Sequence, residues 1–207
     1  MKTEKEYLEE LSEIRDIMNR SSRFISLSGL SGILAGIYAL IATWLAYPIL
    51  NYSNRILGVE KGITLTTQKI NFLIFIATGT LLLSITTGIY LTTRKARRQN
   101  LKIWDAQVRR LLANLAVPLC TGGILCLFML YRGYVSLVAP FTLIFYGLAL
   151  VNASKYTYRE IYGLGVLEII LGLLACWFVG FGLLFWAVGF GLLHIGYGIY
   201  MYFKHER

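Results

Sequence analysis

Glu168 is the one acid inside an apolar run of this chain, and His194 is the one histidine inside another. The runs are 161–180 and 183–203, and both residues stand thirteen positions from Phe181 in the turn between them. If the runs are antiparallel helices, the two side chains share a depth. At about 1.5 Å per residue that depth is roughly 20 Å from the turn, well inside a bilayer. A polar pair there is costly and calls for a reason. Burial disfavours the charged form of each group, whereas pairing favours it, so a carboxyl and an imidazole could exchange a proton near neutral pH. A proton relay or substrate anchor is one reading. A structural clamp between two helices is the other.

The level of Glu168 can be marked on every apolar run. It collects Ser31, Ser84, Thr86, Asn114, Cys120, Thr121 and Tyr146 as well as His194. From these the expected polar centre is Glu168, His194, Ser84, Asn114, Tyr146 and Ser31, lining a small hydrated pocket open to the cytoplasm.

The runs themselves set the fold class. The chain has 207 residues, of which 57% are hydrophobic and 15% charged. Soluble domains carry about a quarter charged residues. The prediction is an all-α polytopic bundle of six transmembrane helices arranged as three hairpins. The spans are expected at 24–47, 70–93, 111–130, 135–153, 161–180 and 183–203, and residues 204–207 form a tail. Residues 1–23 precede the bundle as a short amphipathic cytoplasmic helix, in which Tyr7, Leu11, Ile14 and Met18 share one face. Its acids argue against anionic lipid, so docking under the bundle, on a second copy or on a cytoplasmic protein partner at residues 1–20 is expected.

The connections differ in charge. Pro48 to Lys69 is the longest, with the turn residues Asn51, Ser53, Asn54 and Gly58. The next connection is basic, with Arg94, Lys95, Arg97, Arg98, Lys102, Arg109 and Arg110 against Asp105 alone. Leu101, Trp104, Val108 and Leu111 share a helical face there, so an interfacial helix touching anionic headgroups is expected. Pro118 removes the helical donor for the carbonyl of Asn114, which predicts a kink. Sixteen of the twenty Lys and Arg residues fall on one side of this topology, which puts both termini in the cytoplasm.

Small residues set packing expectations. Ser28, Gly32 and Gly36 repeat every four residues, and Gly172, Gly189 and Gly198 punctuate the last two runs. Such stripes let backbones approach closely, within the chain or, as the alternative, in a homo-oligomer. An internal repeat is also visible. At an offset of 110, Ala77, Gly79, Leu82, Leu83, Ile85, Gly88, Ile89 and Tyr90 recur as Ala187, Gly189, Leu192, Leu193, Ile195, Gly198, Ile199 and Tyr200. This reads as parallel two-helix units about an axis normal to the membrane.

The pattern Gly165-Val166-Leu167, Gly172-Leu173-Leu174, a short turn, then Gly189 and Gly198-Ile199-Tyr200 resembles the two-helix repeat of HdeD-like bacterial membrane proteins. That resemblance implies six spans as three hairpins, the bacterial inner membrane, and a link to acid resistance. The long first connection and the charged N-terminal helix depart from that family's pattern. The segment Ser21–Gly29 is also similar to uncharacterised bacterial membrane proteins, which carry no activity with them.

Other chemistries find little to use. The net charge of +9 lies beside apolar runs, where topology explains it without nucleic acid. Cys120, Cys126 and Cys176 form no Cys-x-x-Cys pair, and two histidines are too few for a metal cage or bis-histidine haem. No phosphate loop or nucleophile elbow is present, so no metal, cofactor or catalytic residue is expected. The expected function is a stress-related sensing, scaffolding or partner-docking membrane protein. A small proton-linked transporter or channel, oligomeric, is the alternative, and an intramembrane enzyme the third.

Overall fold

The computed structural model describes residues 7, 11, 14, 28–57, 65–98, 104, 106–178 and 180–205, and among these it contains helices and turns only. Among the described residues six helices are long and apolar enough to cross a membrane. Without water to bind peptide groups, each such segment must satisfy its backbone within itself, and the helix does so.

The elements are α1 (Gly29–Leu57), α2 (Thr67–Arg98), α3 (Ala106–Tyr131), α4 (Val138–Ala153) and α5 (Glu160–Trp177), followed by α6 (Gly182–Trp186) and α7 (His194–His205). A π-helical segment, Ala187–Leu193, joins α6 to α7 in one sixth span. Pro48 does not end α1 but lies within it, and α3 likewise runs through Pro118. The basic residues Arg94, Lys95, Arg97 and Arg98 form the end of α2 rather than a loop. Val108 and Leu111, expected on an interfacial helix, are buried in the first turns of α3. Of the amphipathic N-terminal stretch, Tyr7, Leu11 and Ile14 are helical and exposed; Met18 and Lys102 lie outside the described residues.

Two turns show why glycine stands where it does. After α3, Gly133 has φ +84°, its N–H donates to Leu130 and the Tyr134 N–H donates to Met129. This is the Schellman arrangement, which needs a left-handed residue. Gly180, φ +99°, supplies the same conformation between α5 and α6.

Packing departs from three self-contained hairpins. α5 lies most extensively against α4, while α7 and the π segment lie along α1. The two runs of the last hairpin meet mainly through α6. Glycine explains the choice. A Cβ on Gly147 would lie 2.5 Å from the Gly165 carbonyl, and one on Gly165 would lie 2.8 Å from the Gly147 carbonyl. Between α1 and the sixth span the reciprocal pairs are Gly29 with Gly198 and Gly36 with Gly191. Gly32 approaches the Gly198 backbone, and Gly172 the Pro140 carbonyl and Ile144. Ser28 is buried at the head of the same α1 stripe. Backbones in contact bury the most surface where no side chain intervenes. The molecule is thus two glycine-packed pairs, α4 with α5 and α1 with the sixth span. α3 flanks the first pair and α2 the second.

Gly147→Leu and Gly198→Leu are expected to cost about 1–3 kcal/mol each or more, as overpacking does. Gly163→Leu and Gly196→Leu, where a Cβ meets nothing within 4 Å, should melt close to the parent. Thermal unfolding of the detergent-solubilised protein followed by size-exclusion chromatography compares the four.

Candidate functional site

The polar centre sits on the seam between the two pairs. α5 carries Glu168 to a position of 0% exposure, and α7 opens with His194, 7% exposed. Glu168 Oε1 lies 3.4 Å from His194 Nδ1. The same Nδ1 is 3.0 Å from the Gly189 carbonyl oxygen, and Nε2 is 2.7 Å from the Tyr146 hydroxyl on α4.

These partners assign the protons. A carbonyl can only accept, so Nδ1 carries a hydrogen and donates it to Gly189. In the neutral ring Nε2 is then an acceptor, and Tyr146 donates its O–H to it. In the imidazolium Nε2–H donates and the Tyr146 oxygen accepts. Tyr146 therefore reverses its role with the charge of His194, and the hydrogen bond persists in both states. Glu168 is the contrasting member. Among the described residues neither carboxyl oxygen has a hydrogen-bond partner, and His194 at 3.4 Å is a contact rather than a bond.

Gly189 makes the room. A Cβ there would lie 2.5 Å from Glu168 Oε2 and 2.5 Å from Leu143 Cδ2. The carboxyl occupies the space that a side chain would take. Gly189 also belongs to the π segment, whose widened turn presents its carbonyl to the imidazole five residues on. Single-turn π segments recur at functional sites. Phe190 seals the centre, with ring centroids 4.9 Å from Tyr146, 5.8 Å from His194 and 4.9 Å from Trp186. Leu143, itself fully buried, closes the side toward α4. Glu168 itself has no exposed surface, so among the described residues it does not line the open pocket that was expected. Apolar and aromatic side chains fill the space that a shared depth left undefined.

Three residues expected in the centre are elsewhere. Ser31 gives its hydroxyl to the Ser28 carbonyl at 2.6 Å, and Asn114 gives its amide to Arg110 at 2.8 Å. Ser84 lies on α2, whose substantial packing is against α1. Thr86 and Thr121 bond the carbonyls of Leu82 and Val117 in their own helices, and Cys120 is exposed. A common level fixes height and not azimuth, and these residues face other ways. Asn114 instead lines a shallow groove with Ala113, Val117, Pro118 and Asn152.

A second polar cluster had no sequence signal, because Lys204 and His205 are more than forty positions from Glu160. Lys204 pairs with Glu160, and His205 Nε2 is 3.4 Å from the same carboxyl oxygen. The His205 ring stacks on Tyr158 at 4.2 Å, and Lys95 stands 5.7 Å above that ring. Lys95 is thereby drawn inward, whereas Arg94, Arg97, Arg98, Trp104, Arg109 and Arg110 are exposed. Among the described residues, no three His, Cys, Asp or Glu side chains could share a metal ion.

Tyr146→Phe leaves a buried imidazole nitrogen without its partner and should cost about 1–3 kcal/mol. Combined with His194→Leu the losses should fall short of additive by about 0.5–3 kcal/mol, because the pair shares one bond. Thermal melts of the two single variants and the double variant measure the coupling, and strict additivity would contradict the assigned bond.

No family model, no curated protein and no solved structure matches this chain, so the chemistry of the centre is argued from its own geometry.

Proposed function

We propose that the chain is a proton-responsive sensing protein of the bacterial cytoplasmic membrane, with both termini in the cytoplasm. The observation that carries this reading is Glu168. Its carboxyl is wholly shielded, without a hydrogen bond among the described residues, and 3.4 Å from an imidazole whose two nitrogens are both engaged. Moving one proton onto or off this pair changes the charge inside the seam. An uncompensated buried charge costs several kcal/mol, which is comparable to what holds two helix pairs together.

The π segment is the element such a change would bias. It has one residue too many for regular α pitch, and its Gly189 carbonyl is held by His194 Nδ1. Release of that carbonyl lets the segment return to α pitch. One residue of register turns α6 by about 100° against α7. The rotation would be felt where α7 meets α1 and at the cytoplasmic cluster of Glu160, Lys204 and His205. The N-terminal stretch, with Tyr7, Leu11 and Ile14 exposed, is the surface on which a cytoplasmic partner or a second copy would read it. An acid-stress setting, implied by the HdeD-like pattern of residues 165–200, belongs to the same proposal. Transport is the weaker reading, because a carried substrate would have to displace Phe190 or Leu143 to reach the pair.

Trp186, in contact with Phe190, is a reporter already in place. With Trp44, Trp104 and Trp177 changed to Phe, its emission in liposomes should change with pH as the Glu168–His194 pair gains or loses a proton. Glu168→Gln should flatten that titration, and vesicle proton flux should stay at background. Emission that ignores pH, or a titration that survives in Glu168→Gln, sinks the proposal. Proton flux abolished by Glu168→Gln would replace it with the carrier.

A further inference from the structure

The end of α2 carries a second site, unrelated to the seam. Thr86, Ile89, Tyr90, Thr93, Arg94 and Arg97 line a groove of about 590 Å³. The spacing places all six on one helical face. Arg94 and Arg97 are exposed, and neither has an ion pair among the described residues. Their neighbour Lys95 points to the other side, over Tyr158. Of the four basic residues in this run, Lys95 is turned into the fold, Arg94 and Arg97 line the groove, and Arg98 is exposed outside it.

The groove is graded. Its arginines stand at the helix end, and Tyr90 and Ile89 lie one turn below. Thr86 has its hydroxyl tied to the Leu82 carbonyl and so offers its methyl group. The exposed side chains of Leu82 and Phe75 continue the same face toward the other end of α2. From Thr86 to Arg97 is about 16 Å along the axis, enough for a headgroup, its glycerol and the upper part of an acyl chain. A free phosphate would use only the arginines. A zwitterionic lipid would set its own cation against them.

We infer that this face of α2 binds an anionic glycerophospholipid, its phosphate held by Arg94 and Arg97 and its chain laid over Tyr90, Ile89 and Thr86. The planar guanidinium fork matches a phosphate with two parallel hydrogen bonds. The rival explanation is that both arginines merely complement the C-terminal end of the α2 dipole. That role is indifferent to headgroup charge, so lipid selectivity separates the two.

The test is native mass spectrometry of the full-length protein, titrated with dioleoyl phosphatidylglycerol or dioleoyl phosphatidylcholine. The parent should retain phosphatidylglycerol preferentially. Each exposed arginine near an anionic surface accounts for about fivefold in affinity, so Arg94→Ala/Arg97→Ala should lose roughly 25-fold. Arg132→Ala, beyond the other end of α3 and outside the groove, should stay near the parent, as should Glu168→Gln. Arg94→Lys/Arg97→Lys keeps charge and fold but loses the fork, and should lose part of the preference. Equal retention of both lipids by the parent overturns the inference. So does equal loss in Arg132→Ala, an unaltered lysine pair, or displacement of phosphatidylglycerol by glycerol 3-phosphate, which would mark a soluble phosphate ligand instead.

Discussion

The carboxyl group of Glu168 is wholly enclosed by the bundle and out of reach of bulk solvent. A lone charge there would cost several kcal/mol, and even a neutral carboxyl wants partners. The surroundings answer with what the helices can bring: an imidazole from α7, a phenol from α4 that locks the imidazole, and a glycine at 189 whose missing side chain makes room. Each costs something elsewhere. Gly189 and the π segment give up regular α pitch, and Tyr146 commits its hydroxyl to His194. The carboxyl oxygens still lack hydrogen bonds among the described residues, so the group stays poised rather than satisfied.

The seam that holds this centre exists because the rest of the bundle packs so closely. Where α4 meets α5, and α1 meets the sixth span, glycine lets backbone touch backbone. Between α5 and the sixth span stand Glu168 and His194, with Tyr146 of α4 and Phe190 beside the imidazole. The sixth span begins against α4 and α5 and ends along α1. It changes neighbours at the π segment, where His194 is held. One irregular stretch thus serves both the change of partner and the orientation of the imidazole, which is why a proton placed there could be felt in the packing.

The same two segments are also joined at one end of the bundle, where Glu160 opens α5 and Lys204 and His205 close α7. Glu160 and Glu168 are about 12 Å apart along the helix. The upper link is exposed and water can replace it. The lower one is enclosed and cannot be replaced without opening the seam.

The number of apolar helices was legible in the residues, because membrane solubility depends on each segment's own composition. So was the closeness of Gly32, Gly36, Gly172 and Gly198 to other backbones, since a missing side chain acts wherever the helix is placed. Equal spacing from Phe181 put Glu168 and His194 at one height by simple rise per residue. Heights also nominated Ser31, Ser84 and Asn114, which face elsewhere, and azimuth is not written in depth. That α7 would lie along α1 instead of α5, that the carboxyl would fill the space left by Gly189, and that Phe190 would close the pocket all depend on surfaces brought together from distant parts of the chain. Hydropathy is a property of one segment, whereas the choice of neighbour is a property of two shapes meeting, and only the folded bundle decides it.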